Sequence, residues 1–393
     1  MTESIRLARR MNLVYLVLFP GFFLYHTLAT LEYIPSFLGG YSSLMALLVL
    51  PGIFFVYLHR YSNSVRPAFT LNIIYWVFLL YYLCIVALNI AIGTDMEVAV
   101  PQLGIILQFG VLYIFGSLYQ HTSEKALRTL LISFSVMTLI VLLNIEDGAF
   151  RLVPAEIELQ DDKLANHQNY AFVYSLVFLY LLSTIPSAKK RFLTFLVGGF
   201  ILFVIGARSE FIGVFGAFVV LEVATSKYRG TISIIFVAML VGLYLASDWI
   251  AEEFPNNRNV FLFGDFEGDV SRLARAYMFE QGMKTIYDNP IWGDFASYEL
   301  GHHIHNGLSA WVDLGIIGFI VYAGLIAVPL IYLLMNFKRK SVNPDYRLAL
   351  YLFVLTAFLA LTSKHFTHQI FPIALGTFAR YLNVTIPRLG QSK

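Results

Sequence analysis

"GHHIHNGLSAWVDLGIIGFIVYAGLIAVPLIYLLMN", residues 301–336, decides the class of fold. From Leu314 to Asn336 it has no Asp, Glu, Lys or Arg. At 1.5 Å of rise per residue, that run crosses a hydrocarbon core of about 30 Å as a helix. Similar runs recur at 12–31, 41–58, 68–92, 98–118, 127–145, 169–186, 191–207, 211–225, 230–249, 346–362 and 369–386. The chain therefore reads as an all-α polytopic membrane protein with about twelve transmembrane helices. A transmembrane barrel would instead show roughly 10-residue segments of alternating hydrophobicity.

Composition agrees. The chain of 393 residues is 58% hydrophobic and 13% charged, and its mean hydropathy is +0.69. A soluble domain carries nearer 25% charge. The net charge of +2 comes without an extended basic tract, so no nucleic-acid partner is expected. The lone cysteine, Cys84, sits inside an apolar run, which leaves no disulfide framework and no cysteine metal site. The N-terminal run lacks a small-residue cleavage site and reads as an uncleaved first helix.

Positive charge alternates between loops. Arg6, Arg9 and Arg10 precede the first run. Arg60 with Arg66, Lys125 with Arg128, Lys189 to Arg191, Lys227 with Arg229, and Lys338 to Lys340 with Arg347 occupy every second connection. Arg380, Arg388 and Lys393 close the chain. This pattern predicts that both termini are cytoplasmic, with 1–393 forming a single membrane domain. Two outer loops are long enough to be functional, 146–168 and 250–313. The second is expected to hold an amphipathic helix, capped by Asp269 or Ser271 and ended by Asn289-Pro290. Its apolar side would carry Val270, Leu273 and Tyr277 and rest on the membrane or the bundle. Arg272 and Arg275, three apart, would project together.

Ionisable residues are rare within the runs. Asn72, Asn89, Gln102, Gln108 and Asn144 are explained by hydrogen bonds between helices. The titratable groups gather on the outer side instead. Arg208 lies there in "IGARSEF", with Arg258, Arg272 and Arg275 in the long loop. His302, His303 and His305 end that loop, and Lys364, His365 and His368 sit in the last outer loop. Guanidinium groups grip phosphate oxygens in pairs, and a neutral histidine takes a proton from a hydroxyl. This combination suits glycosyl transfer from a polyprenyl diphosphate sugar at an outer membrane face. A histidine-bound metal is the other reading of the cluster, although the spacing matches no metal motif. A transporter of a lipid-linked or anionic solute is the rival of a different class.

Three stretches carry a resemblance to the O-antigen polymerase and ligase superfamily, bacterial glycan-assembly enzymes of the inner membrane. "LFVIGARSEFIGVFGAF" resembles its Gly-x-Arg-Ser segment and supplies Arg208. "SRLARAYMFEQGMKTIYDNPIWG" resembles its loop arginine followed by Asn-Pro and Gly, with Arg275 the better match than Arg272. "HIHNGLSAWVDLGIIGFIVY" resembles its His-Asn, acidic, Gly-x-x-Gly block. Asp313 stands where the family more commonly has glutamate. The resemblance implies a metal-independent inverting glycosyltransferase with no cofactor and an active site facing the periplasm. Its donor would be an undecaprenyl diphosphate-linked glycan held among membrane lipids. Arg208 and Arg275, with Arg272, would bind the diphosphate, and His305 would activate the acceptor hydroxyl. His302, His303, Asn306, Asp313, Lys364, His365 and His368 are candidates for the surrounding pocket. A polymerase adding to a second lipid-linked repeat is favoured over a ligase acting on lipid A core. Asp161, Asp162 and His167 would contact solvent, or sugar hydroxyls.

Overall fold

A computed structural model describes residues 3–35, 40–62, 68–94, 96–152, 167–225, 229–255, 257–262, 270–298, 302–336 and 343–390. Arg66, Asp95, Asp161, Asp162, Lys227, Asp269, Lys338 to Lys340 and Lys393 lie outside them, as do the side chains of Arg272 and Arg388. Among the described residues the chain is all-α apart from one two-stranded hairpin. Helices occupy each of the twelve expected runs. Among the described residues, seven spans are long and apolar enough to cross a bilayer: 6–30, 41–60, 69–91, 96–118, 124–143, 309–335 and 344–362. An eighth is broken, with 229–245 and 247–253 meeting at 62°.

The described residues form two compact units. The first comprises Met1–Met45, Tyr119–Glu267 and Asn336–Leu355. It holds α1 (Glu3–Leu18) and α2 (Pro20–Thr30), α6 (Glu124–Leu143), α7 (His167–Thr184), α8 (Ala188–Ile205), α9 (Arg208–Thr225), α10 (Arg229–Leu245) and α11 (Ser247–Glu253). Serines start two of these helices. Ser123 accepts from Ala126 N at 3.3 Å ahead of α6, and Ser187 accepts from Lys190 N at 3.5 Å ahead of α8. Helix α7 is buried almost all round and packs on α6, α8 and α9. The hairpin pairs Ile145 with Phe150 and Glu146 with Ala149 around an Asp147-Gly148 turn, where both residues have positive φ.

This unit buries an ion pair. Arg191 donates through Nε and Nη2 to the two carboxylate oxygens of Glu222, at 2.6 and 2.9 Å. Its Nη1 donates to the carbonyls of Ile185 and Pro186. Nearby, Arg347 donates from Nε to Ser183 O at 2.8 Å. Arg191 and Arg347 are thus interior groups, although the sequence counted them among exposed loop charges. Each finds carbonyl acceptors that a helix end leaves open.

The second unit comprises Ala46–Leu118, Gly268–Met335 and Thr356–Lys393. It contains most of α3 (Tyr41–Ser62), α4 (Phe69–Ala91), α5 (Met96–Leu118), α12 (Val270–Asp288), α13 (Ser309–Met335), the end of α14 (Pro344–Thr362), and α15 (Ile370–Gly390). Helices α5 and α15 lie in backbone contact. A methyl at Gly376 would overlap Tyr113 O, and one at Gly116 would press on Ile373 O and Thr377 N. Without a strong hydrophobic drive between helices in lipid, such small-residue seams hold them together. Three expected polar links cross between helices here: Tyr113 donates to Asn72, Tyr82 to Gln102, and Gln369 to Gln108. Asn89 and Asn144 instead donate to carbonyls one turn back in their own helices, Ile85 O and Ile140 O. For these two the expected interhelical bond is corrected.

Helix α12 begins at Val270, ahead of Ser271, so Ser271 is not its cap. Its contacts within the unit lie away from Leu273 and Tyr277. Leu273 and Tyr277 are exposed, while Gly282, Met283 and Ile286 face inward against Ile304 and Val312.

Candidate active site

The second unit brings together parts of two quoted stretches. In a regular helix Ile316 N would donate to Val312 O. Gly315, at φ 69 and ψ −177, breaks α13 at that point. Both groups are repaired by the turn after α12. Asp294 N donates to Val312 O at 2.7 Å, and Ile316 N donates to Ile291 O at 3.2 Å. Gly293, also at positive φ, faces the same backbone, and a methyl at either glycine would strike the opposite strand. Trp311 Nε1 adds a bond to Pro290 O at 2.7 Å. The Asn-Pro-x-x-Gly turn and the Asp-x-Gly helix break are therefore one joint. Gly315 serves this break, whereas Gly318 serves packing against Tyr81, which also donates to Leu314 O at 2.7 Å.

The joint fixes Asp313, which is fully buried. Its Oδ2 accepts from Tyr298 Oη at 2.9 Å, and Oδ1 takes a long contact from Ala296 N at 3.4 Å. His365 Nε2 stands 3.3 Å from Oδ2. The angle is too poor for an aligned hydrogen bond, so this is a close electrostatic contact. The other ring nitrogen of His365 meets Thr367 Oγ1 at 2.9 Å.

The loop after 302 is clamped to the loop after α14. Gly307 N donates to Ala360 O at 2.5 Å, and Phe366 N donates to Ser309 Oγ at 2.8 Å. Ser309 in turn donates to Asn306 O at 2.7 Å, and Leu308 N donates to Asn306 Oδ1 at 2.9 Å. Asn306 therefore shapes the start of α13 as an Asx turn. These clamps pack His303 against both His305, tilted at 48°, and His365, edge-on at 72°, with ring centroids 4.7 Å apart in each case. Tyr298 packs on the same group, 5.9 Å from His303 and 6.3 Å from His365.

The backbone bends at 303 and 305. His303 and His305 enter the ring cluster, while His302 and Ile304 face α12. The working group is thus His303, His305 and His365 over Asp313, rather than the three histidines adjacent in sequence. Tyr298 was missed. The signal available was an aromatic hydroxyl a few residues after an Asn-Pro turn, close to a charge embedded in an apolar run.

Electrostatics set the protonation states. His303 is pushed down to about 3, first by burial and then by its histidine neighbours. His305 is held below the ordinary histidine range by burial, then by the charges of Arg275, His365 and Lys364. Arg275 itself is exposed on α12. His368 lies well below its usual value through burial and Lys364. Its Nδ1 accepts a long contact from Ile370 N, 3.4 Å away at the start of α15. Asp294 is pushed up by burial and by Asp313, and burial with the same carboxylate raises Tyr298. Among the described residues, no group of three or more His, Cys, Asp or Glu side chains is disposed to hold a metal ion.

Arg208 belongs to the first unit. It opens α9 directly after Gly206, whose φ of 82 ends α8. It is half-buried, and Ser209 beside it donates to the buried Glu210 at 2.8 Å. Asn257 and Asn259 donate to Phe203 O at 2.9 and 2.7 Å, tying the end of α8 to the following loop. Arg258 between them meets His167 at 2.9 Å, so these two expected outer groups face each other. No protein-family model matches the sequence, and a search of curated proteins finds no match.

Proposed function

We propose that this chain is a membrane glycosyltransferase of the O-antigen polymerase and ligase type, acting as a polymerase on lipid-linked repeat units. It would span a bacterial inner membrane about twelve times, with both termini in the cytoplasm and its chemistry at the periplasmic face. The observation that carries the reading is the convergence of His303, His305 and His365 over buried Asp313, with Arg275 close enough to bear on His305. The spacing of Arg208, Arg275 and His305 in sequence supports it.

In this reading His305 is the base. Its lowered pKa leaves the lone pair free at neutral pH. His303, at about 3, is too weak a base to drive proton transfer. An acceptor hydroxyl gives its proton to His305, and its oxygen attacks the anomeric carbon. The bond from that carbon to the diphosphate breaks on the opposite face, which inverts the centre. Polyprenyl diphosphate leaves with the bonding pair, and the Arg275 guanidinium offsets its charge. The Asp313 carboxylate lies two rings beyond His305, through His303 and His365, and favours the positive charge forming there. Arg208 and Arg272 enter as diphosphate ligands from the sequence motif alone. No step calls for a cofactor.

The test is transfer by purified protein in proteoliposomes holding a lipid-linked repeat unit. Elongated lipid-linked chains are expected, and His305→Ala should abolish them while leaving the melting temperature unchanged. Transfer only after addition of lipid A core would make the enzyme a ligase. Full activity in His305→Ala would remove the proposed base.

A further inference from the structure

A cavity of about 410 Å³ lies between α12 and the segment that follows it. It falls within the range of small-molecule sites, roughly 300–1,000 Å³. Its walls are unusually polar for a membrane protein. Gln281, Thr285 and Ser297 supply neutral hydrogen-bonding groups, and Asp288 and Asp294 supply carboxylates. Tyr277 and Tyr298 supply aromatic surface, while Ile304 and Val312 contribute apolar surface. Among the described residues, Lys284 is the only Lys or Arg in the lining.

We propose that this cavity binds a neutral or N-acetylated sugar residue of the glycan, a role that rests on the glycosyltransferase reading. Amide, hydroxyl and carboxylate groups beside aromatic rings match the alternating hydroxyls and C–H faces of a pyranose. Two carboxylates against one lysine make the lining electronegative, and Asp313 adds to this from beneath Tyr298. Such a lining opposes a uronic acid or a phosphate. The diphosphate therefore belongs elsewhere, beside Arg275. Met278, which also lines the cavity, is three residues along the same helix and so neighbours Arg275 on its surface.

The placement also reaches the histidines. Tyr298 lines the cavity, donates to Asp313 and packs against His303 and His365. The loop segment of His302 and Ile304 is its wall, with His303 and His305 in the neighbouring ring cluster. A sugar seated there would be held beside the base without covering it.

The test uses the full-length protein in detergent, with saturation-transfer NMR on two disaccharide probes. One is built of N-acetylhexosamine and the other contains a uronic acid. The neutral probe should bind, and the acidic one should bind at least tenfold more weakly. Thr285→Phe, which fills the cavity, should abolish binding. Asp294→Asn should narrow the preference between the probes. Equal binding of both probes, or binding unaffected by Thr285→Phe, would overturn the proposal. In the transfer assay, a rise in KM for the acceptor in Gln281→Ala would place the acceptor glycan in the cavity, and a rise for the donor would place the donor glycan there. Transfer with neither KM changed in Gln281→Ala or Thr285→Phe would sink the cavity alone. Sugar binding that depends on the cavity, with no transfer in any condition, would sink the enzyme reading instead.

Discussion

Replacing Gly315 by alanine should undo the joint that carries Asp313. The φ of 69 and ψ of −177 at this position belong to a region open essentially to glycine alone. Strain there costs about 1–3 kcal/mol. The new methyl would also overlap Ile291 O and lie 2.7 Å from the Trp292 carbonyl carbon. Relief requires the 291–294 turn to withdraw, breaking the bonds from Asp294 N and to Ile291 O. Each contributes about 1 kcal/mol net. The expected loss is about 3–5 kcal/mol, a large part of a typical stability of about 5–15 kcal/mol. Gly324→Ala, on the same helix, is the control, because among the described residues a methyl there meets no atom within 4 Å beyond its own helix backbone. It should be neutral or stabilising by up to about 1 kcal/mol. Denaturant unfolding in detergent reads both variants, and fluorescence of Trp311, which donates to Pro290 O, reports whether the turn stays docked. A Gly315→Ala protein as stable as the wild type, with unchanged tryptophan emission, would refute the reasoning.

Three further outcomes follow from the same geometry. Unfolded histidine titrates near 6.5, whereas His303 in the fold titrates at about 3. The unfolded chain therefore gains a proton first as pH falls, and stability drops between pH 6.5 and 3. At pH 5 the loss is at most about 2 kcal/mol, and His303→Gln should flatten that part of the melting-temperature profile; an unchanged slope would contradict the assignment. Glu222→Ala leaves the buried Arg191 without its carboxylate and should cost about 3–5 kcal/mol. The double change Arg191→Met with Glu222→Leu should recover most of it, and failure to recover would mean that the pair does more than balance charge. Arg275→Gln removes a positive charge that disfavours protonation of His305. The acid limb of the activity profile should move to higher pH, and an unmoved limb would place Arg275 too far from His305 to matter.

The apolar helices were legible because a run without charge has few alternatives in lipid. The break in α13 was not, since glycine in a membrane helix more often marks close packing than a change of direction. Only the pairing of Ile291 and Asp294 with Ile316 and Val312 reveals it, and that is a contact between separate stretches. The histidine cluster was half legible. Proximity in sequence grouped His302 with His303 and His305, but the bends at 303 and 305 put His303 and His305 in the ring cluster and His302 in the cavity wall. His365 takes the third place through clamps at Gly307 and Ser309. The inner contacts of α12 were not legible, because Leu273 and Tyr277 show helical spacing, whereas its packing within the unit rests on Gly282 and Ile286 nearer the joint. The contact of His368 with Ile370 N at the start of α15 was not legible in the sequence.

The central claim is that this chain breaks a sugar–diphosphate bond. The most direct measurement is release of polyprenyl diphosphate from a lipid-linked repeat unit by the purified protein in proteoliposomes. The account predicts one diphosphate lipid freed per glycosidic bond formed, with release lost in His305→Ala. A lipid-linked glycan that stays intact while crossing from one leaflet to the other would contradict it, and would make the chain a transporter.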